Sequence, residues 1–215
     1  SFGVYAALFG AGAIRFSSGL DILERAYSLM AEETASADAG MGIVVGLEAE
    51  AMRALLRDPA FFEIVLANSS GDACHVLSGP KAALGEALDA ATRRDAISAK
   101  ALPVSIPYHH PAILGRASLR LRSFLEGVAL RAPRCPIVSS IDQRALLGAA
   151  EIRDFVARNL STPISWVRVV GALGGLGAEV AIECGPGVSL AQNARFIEGA
   201  LRHVGVKKAR SRLGL

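Results

Sequence analysis

Residues 41 to 104 alternate strand-length apolar runs with helical spacing, in an order that leaves few folds open. Met41 to Gly46 is predicted as a strand, Glu48 to Arg57 as a helix, and Phe62 to Asn68 as a second strand. A turn at Ser69-Ser70-Gly71-Asp72 leads into a strand over Ala73 to Ser78. Pro80 opens a helix running to about Arg94, and Ala96 to Val104 closes with a strand. Switching between periods of 2 and 3.6 in the order β-α-β-β-α-β is the signature of a ferredoxin-like unit.

The flanks follow a different rule. Gly3 to Gly12 is small-residue and helix-forming, and Ser17 to Glu33 places Leu20, Leu23, Ala26, Tyr27 and Met30 at helical spacing with Ser17 or Ser18 as N-cap. After the unit come an amphipathic helix over 111–129, a strand over Pro136 to Ile141, and helices over 150–159 and 163–175. A buried strand is predicted at Glu179 to Glu183, then a Gly-Pro-Gly turn, a helix from Val188 to about Gly199, and a short strand at Val204 to Val206. Strands alternating with helices imply an α/β core with a mostly parallel sheet. The expected organisation is therefore a core formed by 1–40 and 104–215, with 41–103 inserted as a ferredoxin-like subdomain.

Composition narrows the function classes. In 215 residues, 52% are hydrophobic, enough to bury a full core. The longest weakly polar stretch, Gly3 to Ile14, is shorter than the ~18 apolar residues of a membrane span. No charged n-region with a cleavage site is visible. The three cysteines, Cys74, Cys135 and Cys184, are far apart and lack metal-ligand spacing, so free thiols in the reducing cytoplasm are expected, with no metal or other cofactor. Net charge is +3, and Arg202, Lys207, Lys208, Arg210 and Arg212 crowd the C-terminus. Such a run reads as a solvated tail or as a docking surface for an acidic partner. Without aromatic interleaving it does not read as a nucleic-acid site.

Two segments carry chemistry. Ser1 and Gly3 lead into the first helix, and Leu102-Pro103-Val104-Ser105-Ile106-Pro107-Tyr108-His109-His110-Pro111 sets a histidine in a proline-stiffened loop just after an apolar strand. A serine at a helix start and a histidine held nearby are the parts of nucleophilic acyl transfer: the base takes the hydroxyl proton and helix-start amides hold the oxyanion. On its own the serine reads as an ordinary N-cap, and the histidine as structural.

Together with two further blocks they resemble the malonyl-CoA:acyl-carrier-protein transacylase family, which includes the acyltransferase domains of polyketide and fatty-acid synthases. Ser1, Gly3, Tyr5, Ala6, Ala7 and Leu8 match its Gly-His-Ser-x-Gly-Glu-Tyr-Ala-Ala-Leu motif. Pro103-Val104-Ser105 leads to His109 as the family's Pro-Val-Ser strand leads to its histidine. Arg158 to Trp166 is similar to the Gln-Leu-x-x-Pro-Val-x-Trp segment, and Glu183 to Gly187 to the Glu-x-Gly-Pro-Gly loop. The resemblance implies an α/β-hydrolase-like core with an inserted ferredoxin-like subdomain. It also implies that the N-terminal part of that fold is missing from this sequence: the strand entering the elbow, further strands and a Gln-containing loop. That segment then counts among the expected partners.

The resemblance makes Ser1 the nucleophile, the amide of Phe2 an oxyanion-hole donor, and His109 the base, with His110-Pro111 where the family has Ser-Pro. The main-chain carbonyl orienting the base falls at Asn159, which also reads as a helix C-cap. Asn68 lines the acyl pocket or forms a turn, and Tyr108 shapes the acyl end. His75 is expected in the subdomain core. Two departures bear on substrate. Counted without gaps, the family's carboxylate-binding arginine falls at Ala26, with Arg25 one residue, ~100° of helix, away. The motif's Glu is Val4. Both changes remove polarity, so an uncharged acyl group is expected. The implied activity is acyl transfer through a serine acyl-enzyme, from an acyl-CoA or acyl carrier protein thioester to a carrier-protein thiol. A thioester hydrolase on the same scaffold and a non-catalytic binding subunit stand as alternatives.

Overall fold

The computed structural model describes residues 1–185, 187–197, 199 and 201–207. Helix α1 covers Val4–Gly10 and α2 covers Phe16–Thr34. On α2, Ile22, Ala26, Leu29 and Met30 are buried, one stripe at helical spacing. The cap expected at Ser17 or Ser18 is instead Arg15, which is extended and makes no side-chain cap bond, so both serines sit inside the first turn.

Strand β1 (Ala39–Val45) passes through Gly46 into α3 (Ala49–Leu56). Gly46 has φ +99°, and a Cβ there would lie 2.6 Å from Ile97, so only glycine fits. Asp58 then accepts from the Ala60 amide and starts a 3-10 turn at Pro59–Phe61. This displaces β2 to Val65–Gly71, three residues later than predicted at its start. Ser69 to Gly71, expected as a turn, completes that strand, and the chain reverses at 72–73 into β3 (Cys74–Pro80). Helix α4 (Lys81–Thr92) and β4 (Ser98–Ala101) follow. The four strands pair antiparallel in the order β4-β1-β3-β2.

Helix α5 (Pro111–Glu126) packs on α2 through Leu114, Ala117, Leu121 and Leu125. The strand predicted at 136–141 shortens to β5 (Ile137–Val138), hairpinned with β6 (Ala145–Leu146), which the sequence pattern did not announce. After α6 (Ala149–Arg158) comes β7 (Ile164–Ser165), which adds in parallel to β2 and makes the sheet five-stranded and mixed. Helix α7 (Trp166–Gly175) leads to β8 (Val180–Glu183), α8 (Ser189–Asn193) and β9 (Arg202–Gly205), with β8 and β9 parallel. The helix expected over 188–199 breaks after α8 into a 3-10 turn at Ala194–Phe196. Strand β8 was expected to be buried, but Val180 and Ile182 are 39% and 46% exposed. Among the described residues its one strand partner is β9. Pro186 of the Gly-Pro-Gly turn, and Lys208, Arg210 and Arg212 of the basic run, lie outside the described residues.

Two separate apolar cores result. One gathers Leu8, Ile22, Leu29, Leu114, Leu121, Leu125, Ile152 and Phe155 from the helices before and after the 41–103 segment. The other gathers Val44, Met52, Leu55, Phe61, Leu77, Leu84 and Leu88 from within it. A loop over 102–110 crosses between them and carries His109.

Candidate active site

His109 is buried and left-handed, with φ +63°. Outside glycine that conformation costs energy and persists only where neighbours hold it. Two do. Its backbone N–H donates to the Leu160 carbonyl at 2.9 Å, and its ring Nδ1 lies 3.0 Å from the Thr162 carbonyl. A carbonyl only accepts, so Nδ1 carries the proton and Nε2 is left with its lone pair. Burial lowers the pKa of His109 to about 4, against the pull of the Thr162 and Asn159 carbonyls. The imidazole is thus neutral at pH 7, with Nε2 free.

The segment just after α6 holds both halves of the site. Asn159, the α6 C-cap, is buried, and its Nδ2 donates to the Ser1 carbonyl at 3.3 Å. Its Oδ1 accepts from Ser140 Oγ at 3.4 Å. The acceptor expected at Asn159 is therefore shared: Thr162, three residues on, supplies the carbonyl at hydrogen-bond distance from Nδ1. Asn159 anchors the serine as well, a side-chain role its sequence position did not reveal. Ser161, between them, is pinned to Ser118 of α5 by a 2.7 Å hydroxyl pair.

Ser1 stands three residues ahead of α1, its carbonyl also accepting from the Val4 amide at 3.3 Å. The residue keeps solvent contact. No hydrogen bond joins Ser1 to the His109 ring. Phe2 is 73% exposed and meets Tyr5 edge-on, with ring centroids 6.3 Å apart.

The remaining expected residues divide. Tyr108 is half-buried against the same core as Tyr5, and Tyr5's hydroxyl is pushed up to about 12 by burial and by Tyr108 beside it. Arg25 is half-buried and makes no ion pair among the described residues. Ala26 is fully buried in the core. Asn68 is not in a turn: it sits in β2, accepts from the Trp166 amide at 3.1 Å and donates to Ser70 Oγ at 2.7 Å, joining the sheet to the start of α7. His75 is fully buried, its Nε2 3.0 Å from the Leu47 carbonyl, as a packed core residue. A cavity of about 360 Å³ lies between β9 and α8, lined by residues such as Val188, Gln192 and His203. It touches neither Ser1 nor His109. Among the described residues no cluster of His, Cys, Asp or Glu is arranged to hold a metal, and no helix is long and apolar enough to cross a membrane.

A buried neutral imidazole with one nitrogen bound and the other free, joined through the 159–162 segment to a serine ahead of a helix, defines a class of candidate serine-histidine acyl-transfer sites. Known proteins narrow the class. The malonyl CoA-acyl carrier protein transacylase of Haemophilus influenzae is 31% identical over 216 residues, covering 98% of this chain and 68% of the relative. A crystal structure of an acyl-carrier-protein S-malonyltransferase from Burkholderia pseudomallei is 32% identical, with TM-score 0.91, over 98% of this chain and 70% of that one. A solved complex of a type II PKS acyl-carrier protein with its malonyl-transacylase gives TM-score 0.91 at 28% identity, over 98% of this chain and 68% of that one. No family model matches the sequence. This chain belongs to the malonyl-CoA:acyl-carrier-protein transacylase family. It spans 60% of the length of the Salmonella typhimurium transacylase, which it matches at 32% identity.

Proposed function

We propose that the chain carries the serine-histidine centre of an S-acyltransferase that moves an acyl group from an acyl-CoA to the thiol of an acyl carrier protein. The observation that carries this is His109: neutral, Nδ1 held by the Thr162 carbonyl, Nε2 free, with the same 159–162 segment tied to the Ser1 carbonyl through Asn159. In the first half-reaction Ser1 Oγ attacks the thioester carbonyl and His109 Nε2 takes its proton. The C–S bond then breaks, and the leaving thiolate takes that proton back from the imidazolium. The carrier thiol reverses the steps. The Phe2 amide serves as an oxyanion donor. Asn159, tied to the Ser1 carbonyl, keeps the serine in register with the base. The solved complex of a related transacylase with its carrier supports an acyl carrier protein as acceptor.

On substrate, the relatives are malonyl enzymes, but Ala26 leaves no charge where the resemblance implies a carboxylate clamp, and Val4 is buried and apolar. An uncharged acyl group, shaped by Tyr108 and bordered by Asn68, fits these residues better, unless Arg25 enters the pocket. The 41–103 segment reads as the inserted ferredoxin-like subdomain, on its strand order and its own core. The open face of β8 reads as the seat of a further segment of the same fold. The free cysteines Cys74, Cys135 and Cys184 fit a reducing, cytoplasmic setting.

Intact-mass spectrometry tests the proposal. Incubation with malonyl-CoA and acetyl-CoA should leave one acyl group on Ser1, discharged by added holo carrier protein. Discharge by water at the same rate without carrier would instead make the protein a hydrolase. An adduct on Cys184 or Cys74 would overturn the site assignment.

A further inference from the structure

Next to the base stands a second histidine that the acyl-transfer steps do not use. His110 is buried and is the N-cap of α5. Its Nδ1 accepts from the Ile113 amide at 3.3 Å, satisfying one of the helix's unpaired donors. Its Nε2 lies 2.9 Å from the carbonyl of Glu63. One nitrogen accepts an N–H and the other meets a carbonyl, so both contacts are satisfied only in the neutral tautomer protonated on Nε2. Glu63 stands just before Ile64 of the second core, whereas α5 packs into the first. One imidazole therefore spans the two bodies, one residue from a base whose left-handed backbone must be held from outside. A short N-cap such as serine, which the resemblance places here, caps a helix but does not reach across to a second body.

We propose that His110 is a positioning residue: a strut that transmits the placement of the 41–103 unit to the backbone of His109. Through it, movement of that unit shifts the base against Ser1. The proposal rests on His109 being the base, and a double-mutant cycle keeps the two questions apart. His110→Asn retains an N-cap side chain but loses the reach to Glu63. Misplacement of ~1 Å costs up to ~10²-fold in rate, so acylation of Ser1 by acetyl-CoA or malonyl-CoA should slow at least ~10-fold while thioester affinity stays within ~3-fold. Because the strut acts through His109, the same substitution in a His109→Ala background should cost less than ~3-fold.

An equal loss in both backgrounds, or a loss under ~3-fold in the native one, overturns the strut. If His109→Ala itself does not slow acylation, the base assignment fails instead. Should His110→Asn not fold, ¹⁵N spectra of the unaltered protein decide. The strut requires the proton on Nε2, facing the Glu63 carbonyl, with Nδ1 accepting from Ile113; the opposite tautomer overturns it.

Discussion

At residue 109 the chain accepts a left-handed backbone and a buried imidazole, both unfavourable alone, and each is stabilised by one carbonyl of the 159–162 segment. Strain of this kind is tolerated where the surroundings over-determine it. Removing the ring is expected to slow acyl-enzyme formation by ~10²–10⁴-fold, the usual contribution of a general base. Ser1→Ala should abolish the adduct. Rapid-quench mass measurements on both variants check this, and an adduct surviving in Ser1→Ala would exclude the serine. The lowered pKa sets the pH profile. With folded His109 at about 4, the acylation rate should rise through that region and be flat from about pH 6 upward, not inflect near 6.5. Stability follows the same sign. Unfolded histidine titrates near 6.5, so the neutral buried ring stabilises the fold fully above that value. Stability falls as pH drops from about 6.5 to about 4, by on the order of 3 kcal/mol at ~1.4 kcal/mol per pH unit. Urea melts at pH 7 and pH 4.5 should differ in His109→Ala by clearly less than in the unaltered protein. His109 was singled out by the resemblance, through its register after Val104-Ser105. Thr162 was not, because any residue type offers a carbonyl. The His110 contact was equally hidden: its partner is a backbone oxygen 47 residues away.

Elements were legible where period and length agreed. The strands and helices of 41–104 occur in the predicted order, since each hydrophobic run there is long enough to show its period. Boundaries moved where local chemistry intervened, as at Asp58-Pro59, where a capped 3-10 turn delays β2. The two-residue strands β5, β6 and β7 carry no periodic signal, and pairing alone defines them. Ala26 shows why an ungapped register is not geometry. Helical spacing placed it correctly on α2 but not its surroundings, which are core side chains from α1, α2 and α5. Ala26→Arg is therefore expected to destabilise the fold by several kcal/mol, through overpacking and an unpaired buried charge, before it restores any malonyl preference. Thermal melts check this. A fully stable variant that gains malonyl selectivity would show that a pocket opens beside Ala26. Arg25→Ala separates the alternatives at lower structural cost. If Arg25 is not a clamp, relative loading of malonyl and acetyl groups should change by less than ~3-fold. Loss of a charge-assisted carboxylate pair, roughly 1.5–3 kcal/mol, would change it by about one to two powers of ten.

Across the whole molecule the two cores differ in what covers them. The 41–103 core is closed by α3 and α4 over its sheet, and the first by α2, α5 and α6. The third region, α7 to β9, is attached through Asn68 to Trp166 and through the Asp72 amide to the Phe196 carbonyl at 2.7 Å. There Gly71 lets the backbones meet: a Cβ on it would lie 2.7 Å from Phe196 Cβ. Outward from that junction, Leu176, Val180, Ile182 and Val188 are 57%, 39%, 46% and 48% exposed. An apolar surface of this kind on a short two-stranded pair invites a partner. If a further segment of the same fold packs there, the cost of polar substitution depends on chain length. In the 215-residue chain, Ile182→Thr should cost under ~0.5 kcal/mol, as exposed positions usually do. In a chain extended to the length of its relatives, the same change should cost about 1–3 kcal/mol, because it then buries a hydroxyl in a packed interface. Denaturant melts of the two pairs measure the difference directly. Equal costs in both lengths would show that β8 keeps its open face, and the proposed packing would fail on that result alone.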